Sequence, residues 1–368
     1  MKRLLLILLV AVLTLPFTVT ANAASQISFM KGGVRIAEAP LNVKGIYYFQ
    51  VPTIEKTFGI KFKLDSKKKT ATFTLPSNKS VTTDVVVNDK KSYISITKVA
   101  EALGFVVPFD KETGAYLILK KLSLKEAEEA YKSAVVEGNI AKVKELLLSG
   151  VDVNMKVKGR NVLFDLFPAV KQLGVDRARN MLNFLISKGI DVNAVNGPSF
   201  VLAEAVFSQA DANLFQLLLK AGADPNKKNQ YGITAIDWAS SHDEADVVAM
   251  LIQYGANVNG NALPWACKEG YTDIVELLVK AGADPNMKDQ YGLSVMFHAI
   301  ERQHPTTVEM LLKNGADPNG SSIVAVEKGN ATIIELLLKY GANPDDLLVV
   351  AEQMENASIV ELLLKHGD

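Results

Sequence analysis

Two kinds of hydrophobic periodicity divide this chain. From about residue 122 onward, apolar positions recur at helical spacing in runs such as IVELLVK (274–280) and TVEMLLK (307–313). Each run closes on a glycine, the residue that stops a helix at its C-terminus. From Ala24 to about Lys120 the apolar runs are short and rich in Val, Ile, Thr, Tyr and Phe, and they read as strands. The pattern therefore predicts a small α+β domain over 24–120, followed by an all-helical domain over 121–368.

The glycines that end the helical runs open a recurring pentapeptide. It reads GVDVN from Gly150, GIDVN from Gly189, GADPN from Gly222, GANVN from Gly255, GADPN from Gly282 and GADPN from Gly315, with degenerate copies at Gly341 and Gly367. Subtracting successive glycine numbers gives intervals of 39, 33, 33, 27, 33, 26 and 26 residues. A fixed period of this length means a stack of small units, none of which can bury its apolar face alone.

The 33-residue period, the GADPN ending and helix-opening stretches such as YGITAIDWA resemble the ankyrin repeat. The resemblance implies an ankyrin-repeat solenoid of about eight repeats over residues 122 to 368. It also implies a β-turn finger between repeats, read at KKNQYGIT (227–234) and MKDQYGLS (287–294), and a concave face used for binding. At Asn259, Asn319 and Pro344 the chain is too short for a finger, and none is expected there. The 39-residue interval reads as holding a longer inter-helix loop, about Pro168 to Asp176.

Aligned on the repeat, Tyr231 and Tyr291 occupy equivalent finger positions, and Asp237, Pro264 and Phe297 share an inner-helix position facing the groove. Tyr231, Asp237, Tyr291 and Phe297 are thus the candidate partner-binding residues. Exposed aromatics beside polar residues are what protein-binding hot spots use. Trp238 and Trp265 share one repeat position 27 residues apart and read as core packing between adjacent repeats. His298 reads as a packing residue, His304 as a loop-bonding one, and the Asp and Asn residues of the pentapeptides as turn formers.

In the first domain, Tyr48, Val51, Gly59 and Asp65 correspond at a constant offset of 45 to Tyr93, Ile96, Gly104 and Asp110. Each half reads strand, helix, hairpin, a duplicated βαββ pattern with Thr53 and Thr97 as expected helix caps. The stretch VVVNDKKSYISITKVAEALGFVVPFDKET resembles the copper amine oxidase N-terminal-like domain, also called a stalk domain. Copper itself is not implied, because residues 24–120 contain neither His nor Cys. Ser123 is the expected cap of the charged helix that follows.

Lys2 and Arg3, the apolar run from Leu4 to Val19 and the Ala21-Asn22-Ala23 site read as a secretory signal peptide over 1–23. Removing it takes 2 of the 40 basic residues and leaves 38 against 40 acidic ones, with no net field toward nucleic acid. The single cysteine, Cys267, excludes an intramolecular disulfide and reads as buried. No HExxH, GxSxG or phosphate-cradling motif is present. These readings point to an exported, non-catalytic bacterial protein with no cofactor and no metal. It would bind a protein partner through its repeats, without nucleic acid and without membrane insertion once the signal is removed. Wall or surface-glycan binding through the first domain, with its lysines 67, 68, 69, 79, 90 and 91, is the alternative reading.

Overall fold

A computed structural model describes residues 28–366, apart from 32–33, 37–39, 44–45 and 76. The signal-peptide reading and the last degenerate pentapeptide lie outside the described residues. The chain divides into two compact units, one running to Ala130 with Ala141–Asp152 added, the other comprising Tyr131–Ile140 and Val153–Asp368.

The first unit is α+β. Strand β1 (Ser28–Lys31) pairs parallel with β11 (Ala115–Lys120) and antiparallel with β2 (Val34–Arg35), while β9 (Phe105–Val106) and β10 (Phe109–Asp110) also pair with β11. A second, antiparallel sheet has the order β3 (Leu41–Val43), β4 (Ile46–Gln50), β8 (Lys91–Ser95), β7 (Ser80–Asn88), β6 (Thr70–Thr74), β5 (Lys63–Asp65). Helices α1 (Val51–Phe58) and α2 (Ile96–Ala102) supply Ile54, Ile96 and Val99 to a core shared with Phe49, Phe73 and Ile118.

Both helices of this unit start earlier than the capping pattern suggests. Thr53 lies inside α1, where Pro52 sits in the first turn with a dihedral already suited to a helix. Thr97 lies inside α2, and Ser95 is the cap, its hydroxyl accepting from Lys98 N. Helix α3 (Leu124–Val136) opens on a reciprocal pair: Ser123 N donates to Glu126 Oε2 at 2.9 Å and Glu126 N to Ser123 Oγ at 3.4 Å. In the same unit Lys144, on α4 (Ile140–Leu148), meets the buried Asp110 carboxylate at 3.1 Å.

The second unit is helical, in pairs: α5 (Leu163–Leu173) with α6 (Val175–Ser187), α7 (Val201–Phe207) with α8 (Ala212–Lys220), α9 (Ala235–Ser241) with α10 (Ala245–Gln253), α11 (Ala262–Glu269) with α12 (Thr272–Lys280). The series continues through α13 (Val295–Glu301) with α14 (Pro305–Lys313), α15 (Ser322–Glu327) with α16 (Ala331–Lys339), and α17 (Pro344–Gln353) with α18 (Ala357–Leu364). Odd-numbered helices stack on one another as an inner row, and the even-numbered helices from α6 to α16 stack as an outer row. The outer row buries Leu185, Leu218, Leu251, Leu278, Leu311 and Leu337, all fully, with the spacing of the glycines that follow them. Truncating such a leucine costs about 2–5 kcal/mol.

The expected loop over Pro168 to Asp176 does not form. Helix α5 runs through Pro168 to Leu173, and Gly174 alone, at φ +86°, turns the chain into α6. Leu166, Phe167 and Val170 hold the helix against the core on both sides of the exposed Pro168, so burial outweighs the one backbone bond that proline removes.

The asparagine that ends a pentapeptide reaches beyond its own turn. Asn154, Asn193, Asn226 and Asn286 donate from Nδ2 to the carbonyls of Gly189, Gly222, Gly255 and Gly315 at 2.9–3.0 Å. Each also accepts, through Oδ1, the N–H two residues past that glycine. The aspartates stay local, as where Asp224 accepts from Asn226 N at 2.8 Å. Asn259 makes no such bond to the next unit among the described residues.

Candidate binding groove

The fingers at 227–234 and 287–294 are each held by one acceptor. Asn229 Oδ1 accepts from Tyr231 N and Ile233 N at 2.9 and 3.0 Å, and Asp289 Oδ1 does the same for Tyr291 N and Leu293 N at 2.8 and 3.0 Å. Gly232 and Gly292, at φ +76° and +81°, take the left-handed position that the turn requires. The turns lift Tyr231 and Tyr291 into solvent, 70% and 78% exposed. Between these fingers the junction at Asn259 has none, and Gly260 and Asn261 lead straight into α11.

That gap is open to solvent as a cleft of about 290 Å³, bounded by Tyr231 and Ile233 on one finger, Tyr291 and Leu293 on the other, and Pro264, Trp265 and Lys268 on α11. A second cleft, about 400 Å³, continues on the far side of Trp265 and is lined by Ile233, Trp238, His242 and Glu269. Trp265 and Ile233 border both. The exposed Phe207 extends the aromatic row, meeting Trp238 edge-on with ring centroids 6.2 Å apart.

The candidates read from the sequence separate on this surface. Tyr231 and Tyr291 belong to the first cleft. Phe297 is half-buried and lines another, of about 310 Å³, with Ser321 and Ile323. Asp237 lines the floor of the second cleft beside Trp238, but it is only 3% exposed, and its Oδ2 accepts from Thr234 N and Thr234 Oγ1, both at 2.8 Å. Its role is to tie the start of α9, a structural use of an acid three residues after a Thr. Burial pushes the Asp237 carboxyl above its ordinary value, against the hydrogen bonds from Thr234.

The tryptophans are the opposite correction. Trp265 is 37% exposed and Trp238 half-buried, so they form groove walls rather than core. They follow the N3 position of Asp237 and Pro264 by one residue, and that step turns them out of the packed face. Their shared position 27 residues apart was the available signal; an aromatic tolerated at one open position of two units is a surface feature as readily as a core one. Phe207 carried no signal, because it ends the mostly apolar run from Val201 to Val206 and reads as one more core residue of that helix.

His298 occupies the position of Trp238 in the later finger unit, with Nε2 2.9 Å from Asp289 Oδ2. Burial raises the Asp289 carboxyl, but hydrogen bonds from Leu293, His298 and Tyr291 more than offset this and hold it below its ordinary value. His304 donates from Nε2 to the carbonyl of Lys268 at 3.1 Å, and its ring lies over Gly270. Cys267, two residues after Trp265 on α11, is fully buried, and that burial pushes its thiol far up. No cluster of three or more His, Cys, Asp or Glu side chains that could hold a metal occurs among the described residues.

The family described as "Ankyrin repeats (3 copies)" matches residues 202–289 and 261–322, the stretch that carries both fingers and the open junction between them. This stretch consists of ankyrin repeats. The crystal structure of the human ASB11 ankyrin repeat domain is similar at 23% identity, over 56% of this chain and 98% of that one, with a TM-score of 0.48. No curated protein matches the chain. Within this stretch the two fingers and α11 border one cleft, and that cleft carries Tyr231, Trp265 and Tyr291.

Proposed function

We propose that this protein is an exported, non-catalytic interaction scaffold whose ankyrin array, counted as eight repeats with α3 and α4 as the first, binds a protein partner on its concave and finger face. The observation that carries the reading is the row Phe207, Trp238, Trp265, Tyr231 and Tyr291. Five aromatic side chains turned toward solvent on a repeat surface have no packing role that requires them there, and Tyr and Trp are the residues through which interfaces gain most of their energy. A solenoid presents them already ordered, so little conformational entropy is lost on binding.

The reading extends to the first unit, which we assign as a copper amine oxidase N-terminal-like, or stalk, domain that tethers or positions the array outside the cytoplasm. The order β4, α1, β5, β6 and then β8, α2, β9, β11 supports an internal duplication of βαββ halves. Capture of envelope and medium proteins by the full chain and by the Tyr231→Ala/Trp265→Ala/Tyr291→Ala variant tests the proposal. A partner held by the parent and lost with the variant is expected; retention of the same material by both, and its release by salt, would move the activity to the lysine-rich first unit and cell-wall polymers.

A further inference from the structure

Resting on that reading, we propose that the occupant of the groove is an extended, proline-rich segment in the polyproline II conformation, with two prolines three residues apart seated on either side of Trp265.

The first argument is spacing. The two clefts belong to consecutive units and are separated by one side chain, Trp265. Packed helices such as α9, α11 and α13 stand about 8–10 Å apart. A polyproline II chain rises about 3.1 Å per residue, so every third side chain returns to the same side after about 9.3 Å. The ligand's period and the receptor's period therefore agree, and one proline per cleft follows without bending either.

The second argument is the way the rings stand. Lys268 Nζ lies 4.8 Å from the Trp265 ring centroid, covering one face, while Trp238 is flanked by Phe207 and, at 5.5 Å, by His242. The rings are thus walls of clefts rather than open platforms. A sugar ring needs a free aromatic face on which to lie; a pyrrolidine ring enters between walls, as in other aromatic-lined grooves that take such segments.

Hydrogen bonding and charge agree. The indole N–H groups of Trp238 and Trp265 have no acceptor among the described residues, and neither do the hydroxyls of Tyr231 and Tyr291 have a partner. A polyproline II segment has no internal hydrogen bonds and leaves its carbonyls facing outward to accept them. Lys268 borders the first cleft and Glu269 the second, and neither is in an ion pair among the described residues. This dipole favours a segment with an acidic residue at the Lys268 end and a basic one at the Glu269 end, which fixes its direction.

Trp238 and Trp265 are the two tryptophans of the chain, so intrinsic fluorescence reads this groove directly. The test titrates the full chain with the synthetic peptides EAPPLPPAK and KAPPLPPAE, the glycine-substituted control EAGGLGGAK, and chitohexaose. The expected result is a saturable change with a proline peptide, a several-fold preference for one charge order, and at least tenfold weaker binding of the glycine control. Tyr291→Ala, a change at an exposed residue that leaves the thermal midpoint in place, should weaken binding about tenfold by calorimetry, and Lys268→Ala should erase the preference for charge order. Binding of chitohexaose with no response to the peptides overturns the inference in favour of a glycan. Absence of any response overturns it as well, and if the partner-capture experiment still gives a partner lost with the groove variant, the scaffold reading stands and only the identity of the occupant falls.

Discussion

The junction after Asn226 and the junction after Asn259 begin with the same pentapeptide logic and end differently. The first carries a finger held by Asn229, and its asparagine is bonded to the next unit; the second has neither feature. The consequence is not a defect in the stack, since α9 and α11 still pack and bury Ile236, Leu263 and Ala266 completely. What the deletion changes is access. Two tall fingers with a missing one between them make a cleft, and Trp265, which a finger would cover, becomes its floor and wall. A shortened repeat is thus a way to open a binding site without altering the core that supports it.

Restoring the missing finger is the strongest way to break this comparison. Inserting KKNQYG between Asn259 and Gly260 should fill the cleft and abolish partner capture, lowering affinity at least a hundredfold while circular dichroism remains helical; the same insertion after Asn319, beyond the groove, should leave capture intact. Next in size is Gly270→Ala. A Cβ there would lie 2.6 Å from the His304 ring, and the backbone is at φ +79°, so we expect a loss of about 2–3 kcal/mol by urea denaturation. His304→Ala in the same chain should recover the steric part and leave the roughly 1 kcal/mol that a left-handed alanine costs.

A smaller effect sharpens the contrast between junctions. Asn226→Ala removes two bonds to the next unit and should cost about 1 kcal/mol, whereas Asn259→Ala should cost close to nothing, a difference that a thermal melt of both variants resolves. The smallest expected effect distinguishes the two fingers by pH. The Asp289 carboxyl is held below its ordinary value, so its contribution is present above the unfolded pKa of about 3.9 and is lost as pH falls through the folded value. Asn229 does not titrate. Hydrogen exchange at Leu293 N should therefore accelerate below about pH 4 while exchange at Ile233 N keeps its protection, and Asp289→Asn should remove the difference.

Much of this was legible in the sequence because the repeat is a statement about burial. The leucines before each pentapeptide and the glycines within it mark one outer helix after another, and short intervals correctly located the junctions without fingers. Inner-helix detail was less legible. Asp237 and Trp238 are adjacent, and a one-residue step on a helix turns a side chain by about 100°; alignment alone put the indole in the core, whereas Trp238 walls a cleft whose floor the buried Asp237 helps to line. The same limit explains α5, where Pro168 looked like a break because its local cost is visible in the sequence and the compensating burial of Phe167 and Val170 is not. In the first unit the glycines after α1 and α2 were sound markers, but the helix starts were set by Pro52 and Ser95 rather than by the threonines.

Cys267 gives the groove a clock. Its sulfur is sealed in the packed interior of the unit, and a thiol-modifying reagent reaches it only during the intervals when the unit around α11 comes apart. With one cysteine in the chain, the rate of labelling measures how often that single unit opens, and a ligand lodged in the groove should slow the clock in proportion to its occupancy.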